Sequence, residues 1–574
     1  MIDLFHTAAI PWPYRGHVGV PETKAVCMDG SANKVWSTLG QEWRAIRTLR
    51  STGLFPPLRT LPAIIRETLR SGTAAGGAIL GHLHGDRVAI IDPEGSLTYR
   101  ELGALCSSAT KGLRSHFTSG NQPVIAMMTR NSRHTFLGMF ASIGLGAKLI
   151  AMNTDMSGKQ IAEVCAREKV QLLIHDEAFS DRLQSLDPEI SRIVAARNTS
   201  GHRDDDLATI ITQAPMGLPP RPSTLPSMVI LTSGSTGAPK GSSRNGGNGQ
   251  RPSIAGGAGF FQKIPFRPDD VVLLAPPVYH GWGAICAFST LALGGTLVLD
   301  AGFDAGRAVE LIAKHRCTAL IMVPTMLRRL LALGHEALTP IDHDAIRIIG
   351  SGGARLEAPL VEAVRQEFGA VLHNLYGATE AAFISIATPS DLIADPDSAG
   401  SPPAGITVKI FCGDTEAAVG EIGDIYVGSF MTSPNYTDGR TKETRGNLLK
   451  TGDTGYFNEF GRLFVIGRSD GMIVSGGENV FPEEVEGLLL AHPDIKDVKV
   501  VPVPDEDFGQ RLKAYIVLSR EPGPSPEDIK AFVSHELSRS RVPRDVVYVD
   551  DLRRTGTGKV TKATLDEIDS KESR

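Results

Sequence analysis

The amino-acid sequence predicts an α/β protein in which a large N-terminal domain with doubly wound mixed sheets precedes a small α+β domain. Two observations carry this prediction. From about residue 86, short apolar strands alternate with amphipathic helices, which is typical of a mainly parallel, doubly wound sheet. After about residue 469 the pattern changes to a compact mixture of strands and helices. A chain of 574 residues can bury large cores without disulfides or metals.

Apolar runs locate the strands of the large domain. They are expected at Arg87–Asp92, Pro123–Met128, Val271–Ala275, Gly295–Asp300, Thr318–Val323 and Ile346–Gly350. Between these strands, apolar residues recur at helical spacing, for example at Ala308–Lys314 and Met326–Leu333. A further helix is expected to begin within Leu97–Leu102. The proline-rich stretch Ala214–Pro226 is typical of a linker.

Two helix starts are predicted in the small domain. Pro482 suits a first helical position, and Ser525 is a good N-cap followed by acidic residues. These changes in composition and periodicity predict three parts: an extension at 1–74, a large domain at 75–468 and a small domain at 469–574.

Composition excludes several classes of protein. The 59 Lys and Arg residues nearly balance the 64 Asp and Glu residues, which argues against a nucleic-acid coat. Six scattered cysteines without a C-x-x-C pair indicate reduced thiols. No apolar run is long enough to span a bilayer, and the first residues lack a secretory pattern. We therefore expect a soluble, cytoplasmic protein.

The N-terminal extension is locally basic. Residues 39–71 carry six arginines against two glutamates, and their apolar residues recur at helical spacing. One interpretation is a helix packed on the main body with solvated arginines. The other is a basic amphipathic segment that makes peripheral contact with an anionic membrane surface.

The most specific local feature is a run of hydroxyl and glycine residues closed by a lysine. It reads Thr232-Ser233-Gly234-Ser235-Thr236-Gly237-Ala238-Pro239-Lys240 and follows an apolar strand end. Glycines let the backbone approach phosphate oxygens, hydroxyls donate hydrogen bonds, and lysine adds charge. The run is not a Walker loop, because Pro239 stands where that pattern needs its second glycine. A phosphate-binding loop is favoured over a plain Ser/Gly surface loop.

On this run the chain resembles the AMP-forming acyl-CoA ligase and adenylation-domain superfamily, and motifs further along extend the resemblance over roughly residues 80–565. The resemblance implies that Thr232 through Lys240 grip the β- and γ-phosphates of ATP. It also implies a mobile C-terminal lid. One departure is the Gly/Asn/Ser-rich stretch Ser242–Gly257, where a different sequence and a helix are usual.

The string Asn374-Leu375-Tyr376-Gly377-Ala378-Thr379-Glu380 resembles the superfamily's adenine and magnesium motif. An aromatic ring can stack on adenine, a threonine can bind the α-phosphate, and a carboxylate can hold Mg²⁺ between phosphates. These roles are implied for Tyr376 with Gly377, for Thr379 and for Glu380. Upstream, Ser351-Gly352-Gly353-Ala354 would line the adenine and acyl side of the cleft.

The string Thr451-Gly452-Asp453-Thr454-Gly455-Tyr456 resembles the ribose motif, because a carboxylate can accept hydrogen bonds from both ribose hydroxyls. By resemblance, Arg468 completes the ribose contact and Asp470 is the hinge between the domains. Residues 467–471 also match the G-x-S-x-G string of hydrolases. A strand is expected after them, whereas a nucleophile elbow needs a helix, so a serine hydrolase is disfavoured.

The string Arg553-Arg554-Thr555-Gly556-Thr557-Gly558-Lys559 resembles the loop that carries the superfamily's catalytic lysine. A lysine on a glycine-rich loop can reach the carboxylate and α-phosphate oxygens together and stabilise the charge that develops there. The alternative is a solvated lysine in a tail loop. With the other motifs present, Lys559 is expected to be catalytic.

Residues 276–283 occupy the position of the motif at the mouth of the acyl pocket. Amino-acid-activating relatives usually place an aspartate where this chain has His280. Without that aspartate, the α-ammonium of an amino-acid substrate would be buried without a counter-ion, so an amino acid is a poor candidate substrate. His280 is expected at the wall or gate of the active site. The small residues Gly283, Ala284 and Ala287 after it could leave room for an alkyl chain.

The string Ser475-Gly476-Gly477-Glu478 resembles the small-domain loop that enters the cleft for the thioester step with coenzyme A. Together the motifs imply an ATP-, Mg²⁺- and CoA-dependent acyl-CoA ligase, with a medium- or long-chain fatty acid as the expected substrate. Two alternatives stay open: a ligase that delivers acyl-AMP to a carrier protein, and a non-catalytic adenylate-binding protein. No nucleic-acid partner is expected, and the sequence leaves the oligomeric state open.

Overall fold

The computed structural model describes residues 60–118, 120–195, 205–232, 240–243, 254–468, 472–505, 507–520, 522–552, 565 and 567–570. Two mainly parallel sheets, an antiparallel sheet and a small C-terminal α+β unit make up the described part. The predicted fold class is confirmed.

The first sheet has seven strands and is parallel except at its last pair. In spatial order its strands are β7 (Asp205–Asp206), β6 (Ser191–Val194), β5 (Leu172–His175), β3 (Val124–Met128), β4 (Lys148–Ala151), β8 (Ser227–Thr232) and β9 (Lys240–Ser243). Strands β8 and β9 are antiparallel because the predicted phosphate loop joins them directly.

The second sheet has eight strands, and only its two edge pairs are antiparallel. In spatial order they are β15 (Ser385–Ala387), β14 (Leu372–Tyr376), β13 (Ile348–Gly352), β12 (Ala319–Met322), β10 (Val271–Leu274), β11 (Thr296–Val298), β1 (Val88–Asp92) and β2 (Gly95–Thr98).

Helices connect and cover these two sheets. They are α1 (Leu61–Ser71), α2 (Gly76–His84), α3 (Tyr99–Leu113), α4 (Arg133–Gly144), α5 (Gly158–Glu168), α6 (Leu207–Gln213), α7 (Ile254–Lys263), α8 (Gly281–Leu293), α9 (Ala305–His315), α10 (Pro324–Leu331), α11 (His335–Leu338), α12 (Ala358–Phe368) and α13 (Pro389–Ala394). Helix α3 begins with a capping box, because the Thr98 side chain and Glu101 each satisfy the other's backbone N–H.

The predicted strands agree with the structure to within one residue at each end except at two places. Strand β11 ends two residues earlier than expected, and β13 begins and ends two residues later than expected. Strand β13 (Ile348–Gly352) starts later than predicted because Ile346 still closes the short 3₁₀ turn His343–Ala345, with its N–H donating to the His343 carbonyl at 3.1 Å. The shift carries the strand through Ser351 and Gly352, which pair with Asn374 and Leu375 of β14. Two predicted nucleotide motifs therefore lie side by side in one sheet.

A third, antiparallel sheet follows, and the sequence analysis did not predict it. Its strands are β17 (Thr415–Glu416), β16 (Thr407–Cys412), β18 (Gly423–Gly428), β20 (Leu448–Phe457) and β19 (Thr444–Arg445), with β21 (Leu463–Arg468) also paired to β20. The register places Asp453 directly opposite Arg468.

The C-terminal unit has its own core. Its elements are the hairpin β22 (Ile473–Ser475) and β23 (Glu478–Val480), helices α14 (Pro482–Leu490) and α15 (Pro526–Glu536), and strands β24 (Ile495–Asp505), β25 (Gly509–Leu518) and β26 (Asp545–Tyr548). Both predicted helix starts are confirmed: Pro482 lies in the first turn of α14, and Ser525 caps α15. The domain boundaries themselves stay predictions.

Only part of the basic N-terminal segment is described. Helix α1 buries Ile64 and Glu67 and exposes Ile65 and Leu69, which retain 55% and 71% of their accessible surface. Residues 39–59 lie outside the described residues, and membrane contact through 39–71 stays a prediction. In the described part of the chain, no helix is long and apolar enough to cross a bilayer.

Candidate active site

The loops that follow the parallel strands of the two large sheets meet at one cleft. Asn131, in the loop after β3, is buried and bonds across to the loop after β10. Its Nδ2 donates to the carbonyls of Leu274 and Pro276 at 3.3 and 2.9 Å, and its Oδ1 accepts from the Val278 N–H at 3.0 Å. Ligands of open α/β sheets bind at this carboxyl edge. Asn131 therefore fixes the loop that carries His280.

The strongest polar constellation in the cleft centres on Asp453. The Tyr376 hydroxyl donates to Asp453 Oδ2 at 2.5 Å, and Arg468 Nη1 donates to Oδ1 at 2.9 Å. Burial, reinforced by the nearby carboxylate, raises the pKa of Tyr376 well above its ordinary value, so the hydroxyl stays a donor. The structure thus brings together three residues that the sequence placed 77 and 15 positions apart.

The turn after β14 presents Thr379 and Glu380 to the same cleft. Gly377 is required by this turn, because a Cβ there would lie 2.1 Å from the Ala382 carbonyl oxygen. Ala382 itself adopts a left-handed φ of 65°, which costs about 1 kcal/mol in a residue other than glycine. Gly377 therefore shapes the turn that carries the two predicted ligands.

Glu380 is buried and has two partners that sequence reasoning missed. The Tyr436 hydroxyl donates to its Oε1 at 2.5 Å, and Lys442 Nζ lies 3.3 Å from the same oxygen. Burial alone would raise the pKa of the Glu380 carboxyl, but Lys442 and Tyr436 outweigh it and hold that pKa below the ordinary value. No motif marked segment 434–442 in the sequence.

Ser351 and Gly352 end β13, and Gly353 and Ala354 follow in the loop beyond it. Gly353 has a φ of +86°, a conformation that favours glycine. The indole of Trp282 packs over Gly350 and Gly352, whose Cβ positions would lie 3.0 and 3.2 Å from its ring, and its Nε1 donates to the Met322 carbonyl at 3.0 Å. This side of the cleft is therefore closed by an aromatic ring.

Asn374 shares a face of β14 with Tyr376, because side chains two apart on a strand point the same way. Its Oδ1 is buried and has no hydrogen-bond partner among the described residues. A buried acceptor without a partner is costly. Asn374 belongs to the predicted adenine motif, in which no role was expected for it.

The predicted CoA-side loop lies against the large domain. Glu478 Oε1 is 2.8 Å from His280 Nε2, and Glu478 Oε2 accepts from Asn153 Nδ2 at 2.9 Å. Gly476 and Gly477 make the turn of the β22–β23 hairpin with φ values of +60° and +94°, which few other residues adopt. His280 is thus a contact point between the two domains.

The Glu478–His280 contact is an ion pair. Burial alone would lower the pKa of the His280 imidazole, but the Glu478 carboxylate outweighs it and raises that pKa above 6.5. Burial would likewise raise the pKa of Glu478, and His280 reverses this to leave it below 4.5. Each charge therefore favours the other.

A cleft of about 640 Å³ opens next to this contact, between α5 and the lid residues around α15. Arg182 and Arg539 both line it. Desolvation, followed by repulsion from Arg539, lowers the pKa of the Arg182 guanidinium. The same cleft is also lined by Lys159 and by the carboxylates of Asp155, Glu163 and Asp181, so its charges are mixed.

Several predicted site residues lie outside the described residues: Ser233, Gly234, Ser235, Thr236, Gly237, Asp470 and Lys559. Thr232 ends β8 and Lys240 begins β9, so the two ends of the loop are fixed in one sheet. Of the departure at 242–257, residues 244–253 are likewise outside, and α7 begins at Ile254. The roles assigned to these residues stay predictions.

Comparison with known proteins identifies the class. Residues 81–437 match the family described as AMP-binding enzyme, and residues 484–559 match the AMP-binding enzyme C-terminal domain. The chain belongs to the AMP-binding enzyme family, and the expected AMP-forming adenylate-forming superfamily is confirmed.

Three curated relatives narrow the class to acid–CoA ligases. A 2-succinylbenzoate–CoA ligase of Geobacillus kaustophilus is 29% identical and covers 84% of this chain and 95% of its own length. An uncharacterized acyl–CoA ligase of Bacillus subtilis is 29% identical and covers 83% of this chain and 94% of its own length. A sulfoacetate–CoA ligase of Cupriavidus necator is 26% identical, over 84% and 94%. The expectation of an AMP-forming acid–thiol ligase is confirmed as a class.

Solved structures agree on the fold. The amide bond synthetase McbA of Marinactinospora thermotolerans is 27% identical, with a TM-score of 0.75 over 87% of this chain and 99% of its own. A structure of the o-succinylbenzoate CoA synthetase of Bacillus subtilis with a bound CoA product analogue is 24% identical, with a TM-score of 0.71 over 86% of this chain and 98% of its own. A structure of the same synthetase with an acyl-adenylate has a TM-score of 0.59 over 86% of this chain and 97% of its own. In its fold the chain is nearer to the product-analogue complex.

Docking of the lid should depend on pH through the His280–Glu478 pair. Because docking raises the pKa of His280, this residue stabilises the docked lid below pH 6.5, and the stabilisation is lost as the pH rises through the raised pKa. Because docking lowers the pKa of Glu478, this residue stabilises the docked lid above pH 4.5, and the stabilisation is lost on acidification. Hydrogen exchange of the β22–β23 hairpin should therefore be slowest, after correction for intrinsic rates, between these values and should accelerate towards alkaline pH.

The Glu478→Gln variant should remove this alkaline acceleration. Glu486→Gln is the matched control, because Glu486 pairs with Lys499 inside the lid at 2.6 Å. An alkaline acceleration that persists in Glu478→Gln would show that another group controls docking.

Proposed function

We propose that this protein activates a carboxylic acid with ATP to form an acyl-adenylate and then transfers the acyl group to coenzyme A. The observation that carries the proposal is Asp453, held between Tyr376 and Arg468 at the edge of the cleft that also receives the Glu478 loop. A doubly oriented carboxylate can accept hydrogen bonds from two vicinal hydroxyls, as ribose offers.

The nucleotide would lie along β14. Asn374 Oδ1, which has no partner among the described residues, can accept a hydrogen bond from an exocyclic amine such as that of adenine. The Tyr376 ring lies on the same strand face, where it can stack against the base. Thr379 and Glu380 follow in the turn, nearer the end of the phosphate loop.

The residues around Glu380 fit a Mg²⁺ ion that substrate phosphates complete. Mg²⁺ usually binds through one or two carboxylates together with phosphate oxygens. Among the described residues no cluster of three or more His, Cys, Asp and Glu side chains could hold a metal, so Glu380 would act as a single protein carboxylate. The ion would neutralise phosphate charge, and the depressed pKa of Glu380 keeps its carboxylate ionised.

Coenzyme A is favoured over a carrier protein as acceptor. The Arg182–Arg539 cleft has room for a small molecule, and Asp155 in its lining lies close enough to Glu478 and His280 to interact with both charges. Glu478 contacts both His280 and Asn153 in the large domain. These contacts position the lid so that Gly477 lies close to Val323, directly after β12. The relatives that are named CoA ligases support the same acceptor.

The acid is a compact one. The expected room for an alkyl chain beside His280 is not supported, because a Cβ on Gly283 would lie 2.3 Å from the Pro277 carbonyl oxygen and Trp282 fills the space over β13. Neither succinylbenzoate nor sulfoacetate, the acids in the relatives' names, is a fatty acid.

A panel of acids tests the function and the size limit together. Pyrophosphate release and acyl-CoA formation are measured with aromatic acids, short dicarboxylates and fatty acids of increasing length. Wild-type kcat/KM should be at least about tenfold higher for a compact acid than for palmitate, since pocket fit alone discriminates by such factors. The variant Trp282→Ala should narrow this ratio and Trp282→Phe should preserve it.

A wild-type preference for palmitate would contradict the size limit. Pyrophosphate release without acyl-CoA would favour the carrier-protein alternative. Absence of both products across the panel would favour the non-catalytic alternative.

Lys559→Ala separates the two half-reactions. Loss of a positioned charge in the transition state should lower adenylate formation by about 10²- to 10³-fold. Thioester formation from supplied acyl-AMP should change by less than about threefold, because the lysine is needed only for the first transition state. Both rates are measured in single-turnover assays.

The control for this variant is Lys530→Ala, whose ammonium pairs with Glu527 on the surface of α15. Equal loss of both half-reactions in Lys559→Ala would refute the role given to this lysine.

A further inference from the structure

Lys442 lies on a segment that crosses the candidate nucleotide site. Residues 434–442 run beside β9, the strand that leaves the predicted phosphate loop. The Thr437 N–H donates to the Gly241 carbonyl at 2.8 Å, and Tyr436 pairs with Ser242 in an isolated bridge. The Lys442 N–H donates to the Pro434 carbonyl at 2.9 Å, which fixes the base of its side chain.

The ammonium of Lys442 joins two nucleotide motifs. Its Nζ donates to the Thr451 carbonyl at 2.9 Å, two residues before Asp453, and lies 3.3 Å from Glu380 Oε1. An ammonium has three N–H donors. Among the described residues these contacts account for two of them, so the third can reach a ligand.

A purely structural role explains this lysine poorly. Glu380 already accepts a hydrogen bond from Tyr436, and buried ion pairs add little net stability. The Lys442 side chain is only 21% exposed, so solvent screens its charge weakly. A triphosphate brings several negative charges to this place, and lysine binds phosphate as a point charge.

We propose that Lys442 is a nucleotide-binding residue whose ammonium donates to a phosphate oxygen and, before the nucleotide arrives, neutralises Glu380. The proposal rests on the nucleotide site proposed above and adds a residue that no motif assigns. In this role Lys442 and the metal share the neutralisation of the phosphate chain. Its effect is therefore specific to phosphate and spares the adenosine moiety.

Equilibrium binding of ATP and of adenosine to the full chain tests the proposal. With Mg²⁺ and without acid, Lys442→Met should weaken ATP by about tenfold, the size of one charge-assisted hydrogen bond. Adenosine affinity should change by less than about twofold, since it lacks phosphate. Isothermal titration calorimetry measures both affinities, and Lys442→Arg should restore most of the ATP affinity.

Two further variants separate the loss of charge from a folding defect and from a general effect of removing a lysine. Lys442→Gln keeps a hydrogen-bond donor without the charge, and it should show the same selective loss even if the Met variant folds poorly. Lys450→Met is the matched control: its ammonium is 25% exposed, pairs with Asp424 at 2.8 Å and lies next to Thr451 in the chain. Its ATP affinity should equal that of wild type.

ATP affinity that is unchanged in Lys442→Gln, or lowered in step with adenosine, would overturn the role of Lys442 and leave the proposed function standing. A wild-type chain that binds neither ATP nor adenosine would overturn both.

Discussion

The arrangement of the site depends on one carboxylate held from two sides. Asp453 accepts a hydrogen bond from Tyr376, at the end of a parallel strand, and from Arg468, opposite it in the antiparallel sheet. Two sheets of different architecture are thereby joined through one carboxylate. Arg468 is also the last residue of β21, from which the chain leads to the lid. A ligand at Asp453 therefore lies beside the strand that leads into the lid.

The second constraint is the contact between the lid and the large domain. Glu478 pairs with His280 and Asn153, so a lid loop occupies the region that sequence reasoning assigned to the gate of the acyl pocket. One cleft cannot hold this loop and a second lid loop carrying Lys559 in the same place. Two successive reactions at one site are well served by a lid with two positions.

Much of this could be predicted from local sequence. Apolar runs located six of the parallel strands but not others such as β4, β5 and β6. The residue types near Tyr376 and Asp453 indicated a nucleotide site, because glycine, hydroxyl and carboxylate side chains form short recognisable patterns. Partners distant in sequence left none: Asn153 and Glu478 are 325 residues apart. The antiparallel sheet was missed because its longest strand, β20, alternates in burial but not in apolar character: of its buried residues Leu449, Thr451, Asp453 and Gly455, only Leu449 has a large apolar side chain. The supposed space at Gly283 was wrong because a backbone carbonyl, invisible in sequence, fills it.

The assignment of the site depends most on the proposed recognition of the ribose of an adenine nucleotide by Asp453. The most direct test compares the affinities of AMP and 2′,3′-dideoxy-AMP for wild type and for Asp453→Ala. We expect wild type to prefer AMP by at least about tenfold, the size of the contribution of hydrogen bonds to a charged group, and we expect the variant to lose this preference. A preference for AMP that survives in Asp453→Ala would show that Asp453 does not recognise the ribose.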